Sequence, residues 1–235
     1  MISSLEDLVA PLTEAEYLEI LRAGKLTLRR GLAADRFTLL LDWATLWKVI
    51  ESDVVPLKKL LVTRKGNDVP AIFYRDQGKL NAAKLASLIP HGISLIARSV
   101  DAHVPTLQAL CANIQARIGK KINVTAVMTT GDGGAFPMHY DVPDVVVVQV
   151  EGSKRWRIYD RPVANPVKGM PRPPKPSGVI FDEVLQPGDF LCLPAGYWHH
   201  CDNGSKLSLH LSVLFKSSTA SDGTQALLQG AVVSM

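Results

Sequence analysis

The chain has 235 residues, of which 47% are hydrophobic and 20% charged, and this is enough apolar material for one large domain with a buried core. The net charge of +4 is spread along the chain without a run of five like charges, so a basic nucleic-acid-binding tail is not indicated. The acidic N-terminus predicts no signal peptide, and apolar runs such as the four valines at 145–148 are far shorter than the ~20 residues of a membrane span. Three cysteines without metal-ligand spacing favour a reducing, cytoplasmic setting.

The part of the chain before residue 120 predicts a mixture of helices and strands. A capping box formed by Thr13 and Glu16 starts a helix over 14–23, which Gly24 ends. Further predictions are helices begun by Asp42 and by Asn81 (the second ended by Pro90), a helix over 105–118 with its apolar residues on one stripe, and strands at 26–30 and 93–100.

From residue 122 the pattern changes to short strands separated by turn residues. The predicted strands are 123–129, 144–150, 155–159, 179–184, 190–193 and 207–215. Their close spacing favours a barrel or jelly roll over a parallel sheet. Residues 161–178 contain six prolines and cannot form a central strand, so we expect a surface loop that is either a plain connector or a flap beside the barrel mouth.

The pair His139 and Asp141, followed by His199, is the strongest chemical signal in the chain. A single His-X-Asp arises often by chance, and a buried histidine is more often part of a hydrogen-bonded core than a ligand. On an extended strand, however, residues two apart point to the same face. Two imidazoles and one carboxylate match the facial triad that holds non-haem Fe(II) and leaves positions open for a co-substrate and oxygen. An oxygenase is therefore the leading hypothesis.

Two segments resemble the JmjC/cupin-like 2-oxoglutarate oxygenases, and within that group the ribosomal-oxygenase-like branch. They are HYDVPDVVVVQVEGSKRWRIY at 139–159 and QPGDFLCLPAGYWH at 186–199, with a weaker likeness upstream at 28–31 and 42–43. The resemblance implies a mainly β fold with N-terminal helices, namely a double-stranded β-helix (jelly roll), and the cofactors Fe(II), 2-oxoglutarate and O2. It implies His139, Asp141 and His199 as metal ligands, with the family spacing selecting His199 over His200.

The resemblance also implies residues that bind the co-substrate. Lys154 matches the basic residue that binds the distal carboxylate of 2-oxoglutarate, although a solvated lysine in a hairpin turn is the alternative. Thr125 stands on the predicted barrel wall, where many relatives carry Asn, and Val127 stands where they carry Tyr. Ser208, His210 and Ser212 share one face of the last strand and become further candidates if that face points inward, but His210 could equally be a barrel histidine.

The organisation expected is an N-terminal portion over 1–120 packed on the barrel, a jelly-roll core over 121–216 and a tail over 217–235, as one structural unit. The chain ends about 36 residues after His199, so we expect the extra C-terminal domains of longer family members to be absent, which weakens transfer of a ribosomal-protein role. The residues leave open a homodimer formed through the N-terminal helices.

The implied reaction hydroxylates a protein, peptide or small amino-acid-type substrate while 2-oxoglutarate is converted to succinate and CO2. Demethylation would proceed through the same chemistry on an N-methyl group. Two alternatives stay open. A metal-dependent cupin isomerase, or a dioxygenase without 2-oxoglutarate, would gain if His210 were a fourth ligand and Lys154 were exposed. A non-catalytic cupin binding module would have no need for the triad together with Lys154.

Overall fold

The computed structural model describes residues 2–30, 33–167, 169–171 and 173–216. Its helices are α1 (Leu5–Val9), α2 (Glu14–Arg22), α3 (Trp43–Glu51), α4 (Ala82–Leu88) and α5 (Pro105–Ile118). Its strands are β1 (Thr27–Arg29), β2 (Leu60–Arg64), β3 (Asn67–Asp68), β4 (Arg75–Asp76), β5 (Lys79–Leu80), β6 (Ser94–Arg98), β7 (Lys121–Thr130), β8 (His139–Tyr140), β9 (Asp144–Glu151), β10 (Lys154–Tyr159), β11 (Val179–Leu185), β12 (Phe190–Leu193), β13 (Trp198–Asn203) and β14 (Leu207–Lys216). Within the described residues, no helix combines the length and the hydrophobicity that a membrane span requires.

The predicted helix starts are confirmed by their capping bonds. The side chains of Asp42 and Asn81 accept hydrogen bonds from backbone N–H groups three residues later, and Thr13 forms the predicted capping box with Glu16. Helix α5 has the predicted bounds, whereas α4 ends one residue before the prediction. The reason is that Pro90 lies within a separate 3₁₀ turn, Ile89–His91, and does not simply terminate the α-helix.

Strands β7 to β14 form two facing antiparallel sheets. The larger sheet contains the order β12-β9-β14-β7, and β1 extends it at one edge while β6, β2 and β3 extend it at the other. The smaller sheet has the order β11-β10-β13-β8. Each sheet alternates strands that are distant in sequence. This is the jelly roll, or double-stranded β-helix, that was expected.

The larger sheet is buried on both faces, which explains the run of four valines. Val146 and Val148 join a core that also contains buried residues of α1, α2, α3 and α5, so the N-terminal helices cover the outer face. Val145 and Val147 pack inward with Trp156 of the smaller sheet. A strand with two buried faces carries a continuous apolar run in place of an alternating one.

Several short elements of the N-terminal part are not predicted by the sequence patterns, namely α1, β2, β3, β4 and β5. Helix α1 has only five residues, and β2 is a five-residue run that joins the sheet through β6, with Leu61 opposite Ile96. Such short segments give too little periodicity to assign. The division at residue 120 stays a prediction, although the strands β1, β2, β3 and β6 in the larger sheet favour one structural unit. The predicted tail over 217–235 lies outside the described residues.

Candidate active site

His139, Asp141 and His199 come together at one end of the space between the sheets. His139 on β8 lies directly opposite His199 on β13 in the strand pairing. The potential ligand atoms of the three residues lie within 4.8 Å of one another, with His199 Nε2 3.8 Å from Asp141 Oδ2. Of the residues that the structure describes, these are the only three His, Cys, Asp or Glu side chains that converge in this way.

Backbone carbonyl groups orient both imidazole rings. The Nδ1 atom of His139 lies 2.9 Å from the carbonyl oxygen of Pro137, and that of His199 lies 3.1 Å from the carbonyl oxygen of Tyr197. Because a carbonyl oxygen only accepts, each Nδ1 carries the proton and each Nε2 is left with a lone pair for a metal. The donor set of two imidazoles and one carboxylate therefore fits Fe(II).

The protonation state of His199 agrees with a ligand role. Burial, followed by the nearby charge of His139, lowers the pKa of His199 to about 4. The imidazole is consequently neutral near pH 7, as a metal ligand must be.

The residues next to the ligands face away from the site, as the alternation along a strand requires. His200 Nε2 lies 3.1 Å from Asp202 Oδ1. Tyr140 packs edge-to-face on Trp198, with ring centroids 5.1 Å apart. In the structure it is His199, and not His200, that converges with His139 and Asp141.

Lys154 is fully buried and faces the same cavity, which has a volume of about 340 Å³. Its Nζ donates to Thr129 Oγ1 at 3.0 Å, and Ser94 Oγ lies 3.0 Å from the same oxygen. Burial lowers the pKa of Lys154 to about 8. No described carboxylate lies within ion-pair distance of it. The alternative of a solvated hairpin lysine is therefore wrong.

On β6, β7 and β14, residues that pair with one another form three rows of side chains on the face of the larger sheet that is turned toward the cavity. We call them the deep row (Ser94, Thr129, Ser208), the middle row (Ile96, Val127, His210) and the outer row (Arg98, Thr125, Ser212). The bond between Lys154 and Thr129 sets the deep row beside Lys154. An edge-to-face contact at 5.4 Å sets His210 of the middle row beside Trp156, which stacks on His199 at 5.7 Å.

The other predicted co-substrate residues differ in where they lie. Thr125 and His210 line the cavity. Ser208 does not, because its hydroxyl lies 3.1 Å from Gln149 Nε2, and the Gln149 side chain is also bonded to neighbouring backbone carbonyls. The two-residue period of the strand predicts the face on which Ser208 lies, but it does not predict that Gln149 covers its hydroxyl group.

His210 is a neutral residue of the cavity wall and does not join the metal ligands. Burial lowers its pKa well below the ordinary value for histidine, so its imidazole is uncharged at pH 7. It is absent from the convergent triad, and its Nδ1 has no hydrogen-bond partner among the described residues. The condition that favoured an isomerase, namely a fourth histidine ligand together with an exposed Lys154, is not met.

Two residues that line the cavity were not among the sequence candidates: Arg98 and Trp156. Trp156 continues the two-residue period from Lys154 and could have been found from that signal. Arg98 carries no such signal, because it is brought beside Thr125 only through the pairing of β6 with β7.

The proline-rich segment 161–178 contains neither helix nor strand in its described residues, which agrees with the predicted loop. It packs against the turn that precedes His199. Arg161 lies over the ring of Tyr197 at 4.9 Å, and a Cβ atom on Gly196 would collide with the carbonyl oxygen of Val163. The loop therefore packs against the turn that leads into β13, the strand that carries His199.

Comparison with known proteins points to one family. The family model of the JmjC domain matches residues 103–222, about half of the chain. Over 128 residues the chain is 33% identical to the bifunctional lysine-specific demethylase and histidyl-hydroxylase NO66 of Drosophila grimshawi, covering 52% of this chain and 18% of that protein. Over 163 residues it is 30% identical to ribosomal oxygenase 1 of Homo sapiens, covering 66% and 25%. The chain thus spans a quarter or less of the length of these relatives.

Solved structures of the ribosomal oxygenase YcfD from Escherichia coli have the same fold. A complex with cobalt and 2-oxoglutarate matches with a TM-score of 0.59 at 18% identity, covering 94% of this chain and 56% of that one. A complex with cobalt and succinic acid matches with a TM-score of 0.60 at 19% identity, covering 95% and 58%. The predicted fold class is confirmed.

Proposed function

The chain belongs to the JmjC domain family, and on that premise we propose that it is an Fe(II)- and 2-oxoglutarate-dependent oxygenase that hydroxylates its substrate. The observation that carries the proposal is the combination, in one cavity, of the triad with the buried Lys154, which forms no ion pair with any described residue. A buried lysine without an anion is costly unless a ligand supplies the charge. A dianionic co-substrate that reaches from the metal to Lys154 supplies this negative charge.

The triad and the two carbonyl groups that orient it have distinct parts in this proposal. His139, Asp141 and His199 hold the metal on one side, and the carbonyl groups of Pro137 and Tyr197 keep the two imidazoles in the productive orientation. When bound, Fe(II) with 2-oxoglutarate and O2 supplies the oxidising chemistry that turns 2-oxoglutarate into succinate and CO2 and a substrate C–H into C–OH.

Lys154 would bind the distal carboxylate of 2-oxoglutarate. Its ammonium group carries further donors beyond the one used on Thr129, and these can reach a carboxylate. Trp156 and His210 would flank the carbon chain of the co-substrate, because they lie between Lys154 and His199. The buried walls exclude water from the reacting atoms.

The substrate class follows from the relatives only as a proposal. Their names describe histidyl hydroxylation, lysine-specific demethylation and ribosomal oxygenation. We propose a protein, peptide or amino-acid-type substrate for this chain and hydroxylation as the reaction. A cytoplasmic location and a homodimer remain predictions.

The test is release of succinate and labelled CO2 from 1-labelled 2-oxoglutarate by the purified protein with Fe(II), ascorbate and O2. We expect slow turnover without substrate that disappears in His139→Ala. Binding of 2-oxoglutarate to the metal-loaded protein, measured by calorimetry, is the parallel readout. A wild-type protein that neither binds 2-oxoglutarate nor releases succinate would contradict the proposal.

A further inference from the structure

The outer row consists of polar side chains that have no polar partner among the described residues. Arg98, Thr125 and Ser212 lie side by side across three neighbouring strands and all line the cavity. None of their side chains makes a hydrogen bond or an ion pair with any residue that the structure describes. The deep row, by contrast, uses its hydroxyl groups on Lys154, Gln149 and one another.

The outer row lies at the level of the metal ligands. Lys154 contacts the deep row, and Trp156, two residues further along β10, contacts the middle row. Ile158 follows two residues further along β10 and is the strand-pairing partner of His199. The direction from Lys154 to Ile158 on β10 is therefore the direction from the deep row to the outer row on the larger sheet. The outer row accordingly faces the end of the cavity where His199 enters. A group bound there would be next to the reacting atoms.

The charges of the cavity leave Arg98 uncompensated. With Fe(II) and 2-oxoglutarate bound, the two positive charges of the metal and the one of Lys154 balance the two negative charges of the co-substrate and the one of Asp141. Arg98 is the remaining charged residue among those that line the cavity. Arg98 is exposed, so its guanidinium is open to a substrate group that brings one negative charge.

We propose that the outer row binds a carboxylate group of the substrate, an inference that rests on the oxygenase function proposed above. The guanidinium of Arg98 presents paired N–H donors that match a carboxylate, and the hydroxyl groups of Thr125 and Ser212 add donors beside it. The carboxylate comes from an acidic side chain or from the free carboxyl end of a peptide or amino acid. In this arrangement Thr125 serves the substrate and Lys154 serves the co-substrate.

The setting favours a carboxylate of a peptide over a nucleic acid. The site has one cation, the exposed Arg98, which lines a cavity of about 340 Å³. Other residues that line this cavity are apolar, among them Ile96, Phe136 and Leu214. Nucleic acid binding instead uses several cations along a groove with aromatic stacking surfaces.

The test measures equilibrium binding of labelled nonapeptide pools to protein loaded with Fe(II) and 2-oxoglutarate under anaerobic conditions. Three pools share random uncharged flanking residues. The first has a central Glu and blocked ends, the second a central Gln and blocked ends, and the third a central Gln and a free C-terminal carboxylate. A labelled single-stranded RNA nonamer is the nucleic-acid probe.

Four variants accompany the wild type. Arg98→Gln removes the charge, Arg98→Lys keeps the charge without the paired donors, and Thr125→Val removes one hydroxyl. Arg22→Gln removes an equal charge from exposed α2, outside the cavity. Arg98 is exposed, so its replacement should leave the fold intact.

We expect the first or the third pool to bind at least about tenfold tighter than the second. A preference for the first identifies an acidic side chain, and a preference for the third identifies a chain terminus. The preference should vanish in Arg98→Gln, survive in part in Arg98→Lys and weaken by about threefold in Thr125→Val. It should be unchanged in Arg22→Gln.

Equal binding of the three pools would overturn the inference, and so would a preference that survives in Arg98→Gln. RNA binding that depends on Arg98 without a peptide preference would assign the row to nucleic acid instead. A loss of 2-oxoglutarate affinity in Arg98→Gln, with the peptide preference intact, would assign it to the co-substrate.

Failure of this inference can be separated from failure of the oxygenase function. If the wild type binds and consumes 2-oxoglutarate while the pools do not differ, only the carboxylate site is lost. If 2-oxoglutarate does not bind while an Arg98-dependent acidic preference persists without it, the oxygenase function fails and the anion site stands.

Discussion

The two faces of the larger sheet carry different residues although the same strands form them. Along β7, Val124, Ala126 and Met128 are fully buried against the N-terminal helices, whereas Thr125 and Thr129 alternate with them and face the cavity side. Strand β14 repeats the arrangement, with Leu209, Leu211 and Val213 on the helix side and Ser208, His210 and Ser212 on the other. Residues one position apart therefore serve stability and chemistry separately.

This difference implies that single substitutions should affect one property and spare the other. A change on the helix side should lower the free energy of unfolding but leave the site intact in molecules that stay folded. A change on the cavity side should alter ligand binding with little loss of stability, because its polar groups contribute little apolar burial.

The largest effect is expected from Asp141→Ala. The carboxylate supplies one of three ligands, so metal binding and 2-oxoglutarate turnover should both fall, turnover by more than about 1,000-fold. The side chain is 36% exposed, and its loss should leave the thermal midpoint nearly unchanged. Metal titration, succinate release and thermal unfolding measure the three quantities. Full metal occupancy in this variant would refute the assignment of Asp141 as a ligand.

Phe215→Ala, on the helix side, is expected to have the reverse pattern: a large loss of stability with 2-oxoglutarate binding retained. Phe215 is 1% exposed and packs against Tyr17 of α2 with ring centroids 5.7 Å apart. Its removal should lower the free energy of unfolding by about 3–5 kcal/mol. The 2-oxoglutarate affinity of the folded fraction should stay within about twofold. Leu39→Ala, at a site that is 64% exposed, is the matched control and should change stability by about 0.5 kcal/mol or less. Comparable losses in the two variants would contradict this account of the core.

Lys154→Met should weaken 2-oxoglutarate binding by about 100-fold, since a charge-assisted contact is lost. Stability should be unchanged or slightly higher, because the substitution removes a buried, unpaired cation. Metal affinity without the co-substrate should not change. The control is Arg155→Gln. Arg155 lies one position away on the opposite face of the strand and pairs with Asp182 at the surface, so this variant should retain full 2-oxoglutarate affinity. A variant at position 154 that binds 2-oxoglutarate normally would exclude Lys154 as the anchor.

The smallest predicted effect is a pH dependence of 2-oxoglutarate binding. The pKa of Lys154 is lowered to about 8 by burial, so its charged form predominates below pH 8 and its neutral form above. The co-substrate requires the charged form, and its affinity should fall by up to about tenfold per pH unit above pH 8. Calorimetry between pH 6.5 and 9.5 measures this change. Lys154→Met should lack it, and an equal decline in that variant would trace the dependence to another group.

The sequence predicted elements well where local patterns were long or were punctuated by caps. Helix α5 has the expected bounds because its apolar stripe runs for almost four turns between a proline and a glycine. The strands predicted after residue 122 were located within about two residues, because turn residues bound them, whereas β8 and β13 were not among the predicted strands. The five-residue segments α1 and β2 carry too little pattern, and their stability comes from packing against distant parts of the chain.

The residue patterns were sufficient to predict the fold family and the three candidate metal ligands, because His139 and Asp141 stand two apart in an extended segment, although Asp141 lies just beyond the end of β8. They were not sufficient to predict which side chains meet across strands. Ser94 reaches Thr129 over 35 positions, Gln149 covers Ser208 over 59, and Arg98 joins Thr125 through a sheet pairing. The physical reason is that periodicity specifies the face on which a residue lies, whereas the neighbour on that face depends on strand order and register.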